Sequence, residues 1–154
     1  MSAGPLGVDG IVSGAVLRVV AGPEGATVDD DSATRTARTL VEGEATAEAL
    51  VLDEPLSFWG GLDPEDGTII DAHHPQHGAT VTGRVLVMPS GRGSSSASSV
   101  IAEALRVGTG PAAIVLGETD PIIVVGVLVA EELHGAGCPV VTLTGGRRPD
   151  PPGR

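Results

Sequence analysis

Residues 84–107 read RVLVMPSGRGSSSASSVIAEALRV, and the change of character within them decides the fold. Arg84 to Met88 is a β-branched apolar run, whereas Ser95 to Val107 sets Ala97, Val100, Ile101, Ala104 and Leu105 at helical spacing. A strand therefore enters a helix through the turn Pro89 to Ser96. Ala112 to Leu116 is a second apolar run, which completes a β-α-β unit. Asp120-Pro121 then supplies an N-cap followed by Pro at the first helical position, and Leu133, His134 and Gly135 end the segment. Ile122 to Leu133 is rich in Val and Ile, so a strand competes there, but its length and caps favour a helix. With a last strand at Pro139 to Leu143, two right-handed crossovers give a three-stranded parallel sheet with helices on its faces.

Upstream, Gly43 to Gly83 reads as short strands between turns, with alternation in Glu48 to Leu52, Thr68 to Ile70 and Ala79 to Thr82. This half predicts a small barrel-like β-structure. Residues 1–42 are rich in Gly, Ala, Asp and Thr and carry Asp29-Asp30-Asp31, which predicts a mobile extension with at most a short strand or hairpin over Gly14 to Val20. The proline-rich residues 145–154 predict a disordered tail. The expected domain is thus 43–144.

Composition removes several function classes. The chain has 154 residues, enough for one modest core, and that core must be aliphatic, since there is one Trp, one Phe and no Tyr. All nine positive charges are Arg, so lysine Schiff-base chemistry and a P-loop lysine are absent. A formal net charge of -11 repels nucleic acid and anionic membranes. Cys138, the single cysteine, reads as a small buried hydrophobe and cannot alone hold zinc or an iron-sulfur cluster. No basic leader with a long apolar stretch begins the chain, and the longest apolar run is too short for a bilayer, so a cytoplasmic location is expected.

The chemistry is expected at the glycine turn between Met88 and Ser95. Glycines let a ligand approach the backbone, and the unpaired N–H groups and dipole at a helix start favour an anion. A serine hydroxyl held there has its ionised form favoured, which makes Ser94 a candidate base. The plainer reading is that Ser and Gly simply begin the helix. Arg92 adds a guanidinium able to clamp a carboxylate, or else is a solvent-facing loop residue.

Asp71-Ala72-His73-His74-Pro75-Gln76-His77 has ligand atoms enough for a metal, but His73 and His74 point apart in an extended segment. A turn with one functional or packed histidine is the better reading. Ser57 to Gly61 holds the only aromatics, read as a packing anchor rather than a substrate platform.

The order Glu54-Pro55-Leu56-Ser57-Phe58-Trp59-Gly60-Gly61-Leu62-Asp63, Ile70-Asp71, His74-Pro75, Gly78, Gly83 to Val87, Pro89 to Ser95, Glu118 to Ile122 and Cys138 to Val141 resembles the swivel domain of the aconitase X family across residues 43–143. The resemblance implies an α/β fold of the β/β/α swivelling type, like aconitase's mobile domain. It also implies the activity of a hydro-lyase that removes water beside a carboxylate. By motif position Ser94 is then the proton acceptor, and Gly93, Ser95 and adjacent N–H groups, with Arg92 as a weaker member, hold the substrate's acidic group. This chain binds no cofactor on that reading. An iron-sulfur cluster or iron belongs to a large catalytic subunit, the expected heterodimer partner.

The family's substrates are cis-3-hydroxy-L-proline and (R)-5-phosphomevalonate. A chain without Lys or Asn and rich in Ala, Gly and Arg suggests GC-rich bacterial coding and favours hydroxyproline, because the phosphomevalonate branch is mainly archaeal. A non-catalytic binding module on the same fold is the alternative of another class. A phosphohistidine carrier ranks below both, since no His lies in the glycine turn.

Overall fold

A computed structural model describes residues 10–90 and 96–144. The elements in chain order are β1 (Val16–Gly22), β2 (Gly25–Asp29), β3 (Thr34–Val41), β4 (Gly43–Val51), the single turn α1 (Phe58–Gly61), β5 (Leu62–Asp63), β6 (Thr68–Ile69), β7 (Val85–Met88), α2 (Ala97–Val107), β8 (Ala113–Leu116), α3 (Pro121–His134) and β9 (Val140–Leu143). Seven strands close a barrel in the order β1-β2-β3-β9-β8-β7-β4, and β5-β6 is a separate two-stranded ribbon.

Strand parity builds two cores from one sheet. Leu17, Val19, Ala26, Val28, Ala49, Val51, Val85, Val87, Ala113, Val115 and Val141 point inward and fill the barrel. The barrel is narrow, so Ala and Val suffice. The alternate residues Leu86, Met88, Ile114, Leu116 and Val140 face outward and pack with Ile101, Ala104, Ile123, Val127 and Ala130 of the helices and with Phe58. β7, β8 and β9 are buried on both faces and read as continuous apolar runs for that reason.

Both helices lie on the outer side, not on two faces of a flat sheet. The steps β7 to β8 and β8 to β9 go the same way round the barrel, and two right-handed crossovers in one direction put their helices on one side. The helical reading of Ile122 to Leu133 is correct. Asp120 Oδ1 accepts from the Ile122 N–H at 3.0 Å, and Gly135 closes the helix in the left-handed conformation (φ 66°).

The expected mobile extension over 1–42 is corrected for residues 16–41, which form β1, β2 and β3. The β1-β2 hairpin pairs with β4 on one side and β3 on the other, and so closes the barrel. Open edges at β4 and β3 would each leave a row of unpaired N–H and C=O groups, and the hairpin removes them. Residues 1–9 and the expected tail 145–154 lie outside the described residues. Ala79 to Thr82, expected as a strand, makes one bridge from Thr80 to Thr68. No helix among the described residues is long and apolar enough to cross a membrane.

Cys138 is buried against the helix-side core as expected. Desolvation, reinforced by the charge of Glu131, pushes its thiol up from 9.0 to about 12. A raised folded-state value means the contribution to stability is complete below about pH 9 and is lost as pH rises towards 12. The native thiol is therefore expected to resist alkylation at pH 8 and to react on unfolding. Fast labelling of the folded chain would show that the side chain is not buried.

Candidate functional site

β4, β7, β8 and β9 are mutually parallel, so all four end at one edge, where Val51 pairs with Val87, Met88 with Leu116 and Leu116 with Thr142. In α/β structures ligands collect outside the carboxyl ends of such strands, where helix N-termini also gather. The glycine turn leaves from this edge. The Pro89 carbonyl accepts N–H groups from Gly117 at 3.1 Å and Glu118 at 2.9 Å, which fixes the departure of Ser90 beside the β8-α3 loop. Gly117 has no room for a side chain, because a Cβ there would stand 3.0 Å from the Pro89 oxygen.

The far end of the turn is equally constrained. Ser96 already has helical angles (φ -65°, ψ -19°). One residue pair further on, Ser98 Oγ donates to the Ile122 carbonyl at 2.7 Å and ties the start of α2 to the start of α3. The predicted site residues Arg92, Gly93, Ser94 and Ser95 lie between these anchors and outside the described residues.

A second loop is clasped onto this edge, and sequence reasoning did not find the clasp. The Gln76 N–H donates to His74 Nδ1 at 3.0 Å, so the hydrogen-bond network assigns the ring proton to Nε2, which donates to the Glu54 carbonyl at 3.1 Å. Gln76 also accepts from the Asp53 N–H and donates to Asp53 Oδ2, both at 3.0 Å. His74 is the packed histidine of its segment, 6% exposed, with both ring nitrogens committed. His73 and His77 are exposed, and the three do not converge. Among the described residues no group of three or more His, Cys, Asp or Glu side chains is arranged to hold a metal, and buried Cys138 is no exception. An iron centre does not fit the described part of this chain.

His74→Ala leaves the Glu54 carbonyl without its donor and opens a cavity beside it. The expected loss is roughly 1–3 kcal/mol of stability, measured by denaturant unfolding. An unchanged midpoint would show that the clasp contributes nothing.

The aromatic pair divides. Phe58 is a packing anchor, 1% exposed, whereas Trp59 stands 61% exposed on a turn bent at Gly60 (φ 83°). The edge itself is acidic: Asp53 and Glu54 follow β4, and Glu118 and Asp120 follow β8. Asp120 occupies the N-terminus of α3, whereas no acidic residue lies in the first turn of α2. Thr119 and Thr142 hydroxyls lie 3.2 Å apart, and Arg38 of β3 is opposite Thr142.

A closed barrel carrying two crossover helices on one side, with its polar loops at the carboxyl ends of the parallel strands, defines a swivel-type domain. Residues 34–149 match the model of the aconitase X swivel domain, and the chain belongs to that family. It is 49% identical over 106 residues to the cis-3-hydroxy-L-proline dehydratase of Pseudomonas aeruginosa, a match covering 69% of this chain and 18% of that protein. It is 47% identical over 91 residues to the phosphomevalonate dehydratase small subunit of Methanopyrus kandleri, covering 59% of this chain and 67% of the relative. The chain thus spans under a fifth of the first protein and about two thirds of the second. The solved structure of Thermococcus kodakaraensis aconitase X in its holo form superposes with a TM-score of 0.65 at 34% identity, over 73% of this chain and 82% of that one.

Proposed function

We propose that this chain is the small subunit of an aconitase X-type hydro-lyase, supplying one wall of an active site that a larger subunit completes. The observation that carries the reading is the family match over 34–149, which contains the glycine turn between a parallel strand and a helix start. Ser94 accepts the proton from the carbon beside the substrate carboxylate. Gly93, Ser95 and the neighbouring N–H groups receive that carboxylate, and Arg92 adds a guanidinium to it. The iron centre belongs to the larger subunit. The assembly works in the cytoplasm, where the single thiol stays reduced.

The substrate in this reading is cis-3-hydroxy-L-proline. Relatives named for each compound match the chain, at 49% and 47% identity, so the choice rests on charge. The edge bearing Asp53, Glu54, Glu118 and Asp120 suits a zwitterion with an ammonium group better than a multiply charged phosphate. The test is to purify the chain anaerobically with its larger partner and follow loss of both compounds in parallel. Turnover of hydroxyproline supports the reading, and turnover of phosphomevalonate alone replaces the substrate. With no turnover of either, a non-catalytic swivel-fold binding module becomes the better account.

A further inference from the structure

Helix α3 is apolar on two sides. Ile123, Gly126, Val127 and Ala130 are buried against α2 and the sheet. Val125, Leu128, Val129 and Leu133 repeat at the spacing of a second helix face, and they stand 50%, 46%, 38% and 69% exposed. These four residues and Glu132 form a shallow depression made by α3 alone. A helix that is apolar all round belongs in an interior, so the outer face calls for a cover.

The charges around this face select the cover. Glu131 and Glu132 flank it at the carboxyl end of the helix, Glu118 and Asp120 stand at the amino end, and α3 carries no Arg or Lys. A twofold contact between two copies packed antiparallel sets the Glu118-Asp120 end of one helix against the Glu131-Glu132 end of the other. Like charges then oppose at both ends, in a chain whose net charge is -11. A partner with an apolar strip bordered by Arg or Lys meets the same surface with complementary charge.

We infer that the outer face of α3 is the docking surface for the larger subunit, seated in an apolar groove with a basic rim. The inference rests on the function proposed above. It adds which face of the swivel domain is held while the parallel-strand edge faces the substrate.

The test uses the co-purified complex of this chain with its larger partner. Leu128→Glu and Leu133→Gln are compared with Val16→Glu, which alters an equally exposed apolar residue on β1. All three sites are exposed, so each variant is expected to melt like the wild type. The two α3 variants should weaken association by roughly 30-fold or more, as loss of a central interface anchor does, while Val16→Glu binds normally. Added salt should weaken the wild-type complex. If the wild-type complex forms and the α3 variants bind as tightly, the docking surface is wrong and the proposed function stands. If no wild-type complex forms, both fall. If the chain alone dimerises and Leu128→Glu abolishes the dimer, a second copy is the occupant and the inference is overturned.

Discussion

Ser94→Ala is expected to lower dehydratase turnover by roughly 10²–10⁴-fold, the usual contribution of a positioned proton acceptor, and to leave assembly with the larger subunit intact. The physical basis is the setting of its loop. The chain departs from Pro89, whose carbonyl is held by the N–H groups of Gly117 and Glu118, and rejoins the fold at Ser96, where α2 is winding. A serine presented at the amino end of a helix has a developing alkoxide stabilised by the N–H groups there. Loss of a serine hydroxyl at a helix start costs about 0.5–2 kcal/mol, so the change in stability is expected to stay within that range. The check is initial rate and complex formation on the same preparation. Wild-type turnover in this variant would remove Ser94 from the chemistry and make it an ordinary helix start.

Gly126→Val is expected to damage stability and turnover together. At Gly126 α3 lies tight against α2: a Cβ there would stand 2.8 Å from the Ser98 carbonyl and 3.1 Å from Ile101 Cβ. Glycine in mid-helix ordinarily costs about 1 kcal/mol relative to alanine and is less favourable than valine, so on propensity alone this replacement should stabilise. Contact with backbone reverses that sign, because the Ser98 carbonyl cannot rotate away as a side-chain tip can. Overpacking of this kind costs roughly 1–3 kcal/mol and occasionally more. The clash also pushes the start of α2, and with it the end of the glycine turn, away from the sheet. A misplacement on the order of 1 Å can cost about 10²-fold in rate. Thermal melting and turnover are therefore expected to fall together. A melting temperature at or above the wild type would show that the two helices are not in contact here.

The parts of the fold that were legible in the sequence are those whose signals are local. β7, α2, β8, α3 and β9 were read within a few residues, because strands buried on both faces are continuous apolar runs and because Asp120-Pro121 and Gly135 mark the ends of α3 chemically. β1, β2 and β3 were mostly missed. Their inward residues include Ala21, Ala26 and Ala37, and β3 buries only Ala37 and Val41 in its eight residues, so the period-two contrast is weak against Thr, Arg and Asp. A narrow barrel interior asks for small side chains, and those are the ones that hydropathy reads poorly.

The same distinction holds for the site. The glycine turn was visible as a local pattern, and the structure anchors both of its ends. The clasp of His74 to Glu54 and of Gln76 to Asp53 joins residues 20 and 23 positions apart, and nothing in either segment alone announces it. Trp59 was read as a packing residue because a lone aromatic pair usually is. Only the turn at Gly60, with Phe58 taking the buried place, turns the indole outward.

The most direct test of the central claim is a titration of this chain into a fixed amount of its larger partner under anaerobic conditions, with loss of cis-3-hydroxy-L-proline as the readout. No turnover by the partner alone, with a rate that climbs to a plateau at one chain per partner, is the expected result. A partner that turns over fully on its own, or a rate that stays at zero at every ratio, would contradict it.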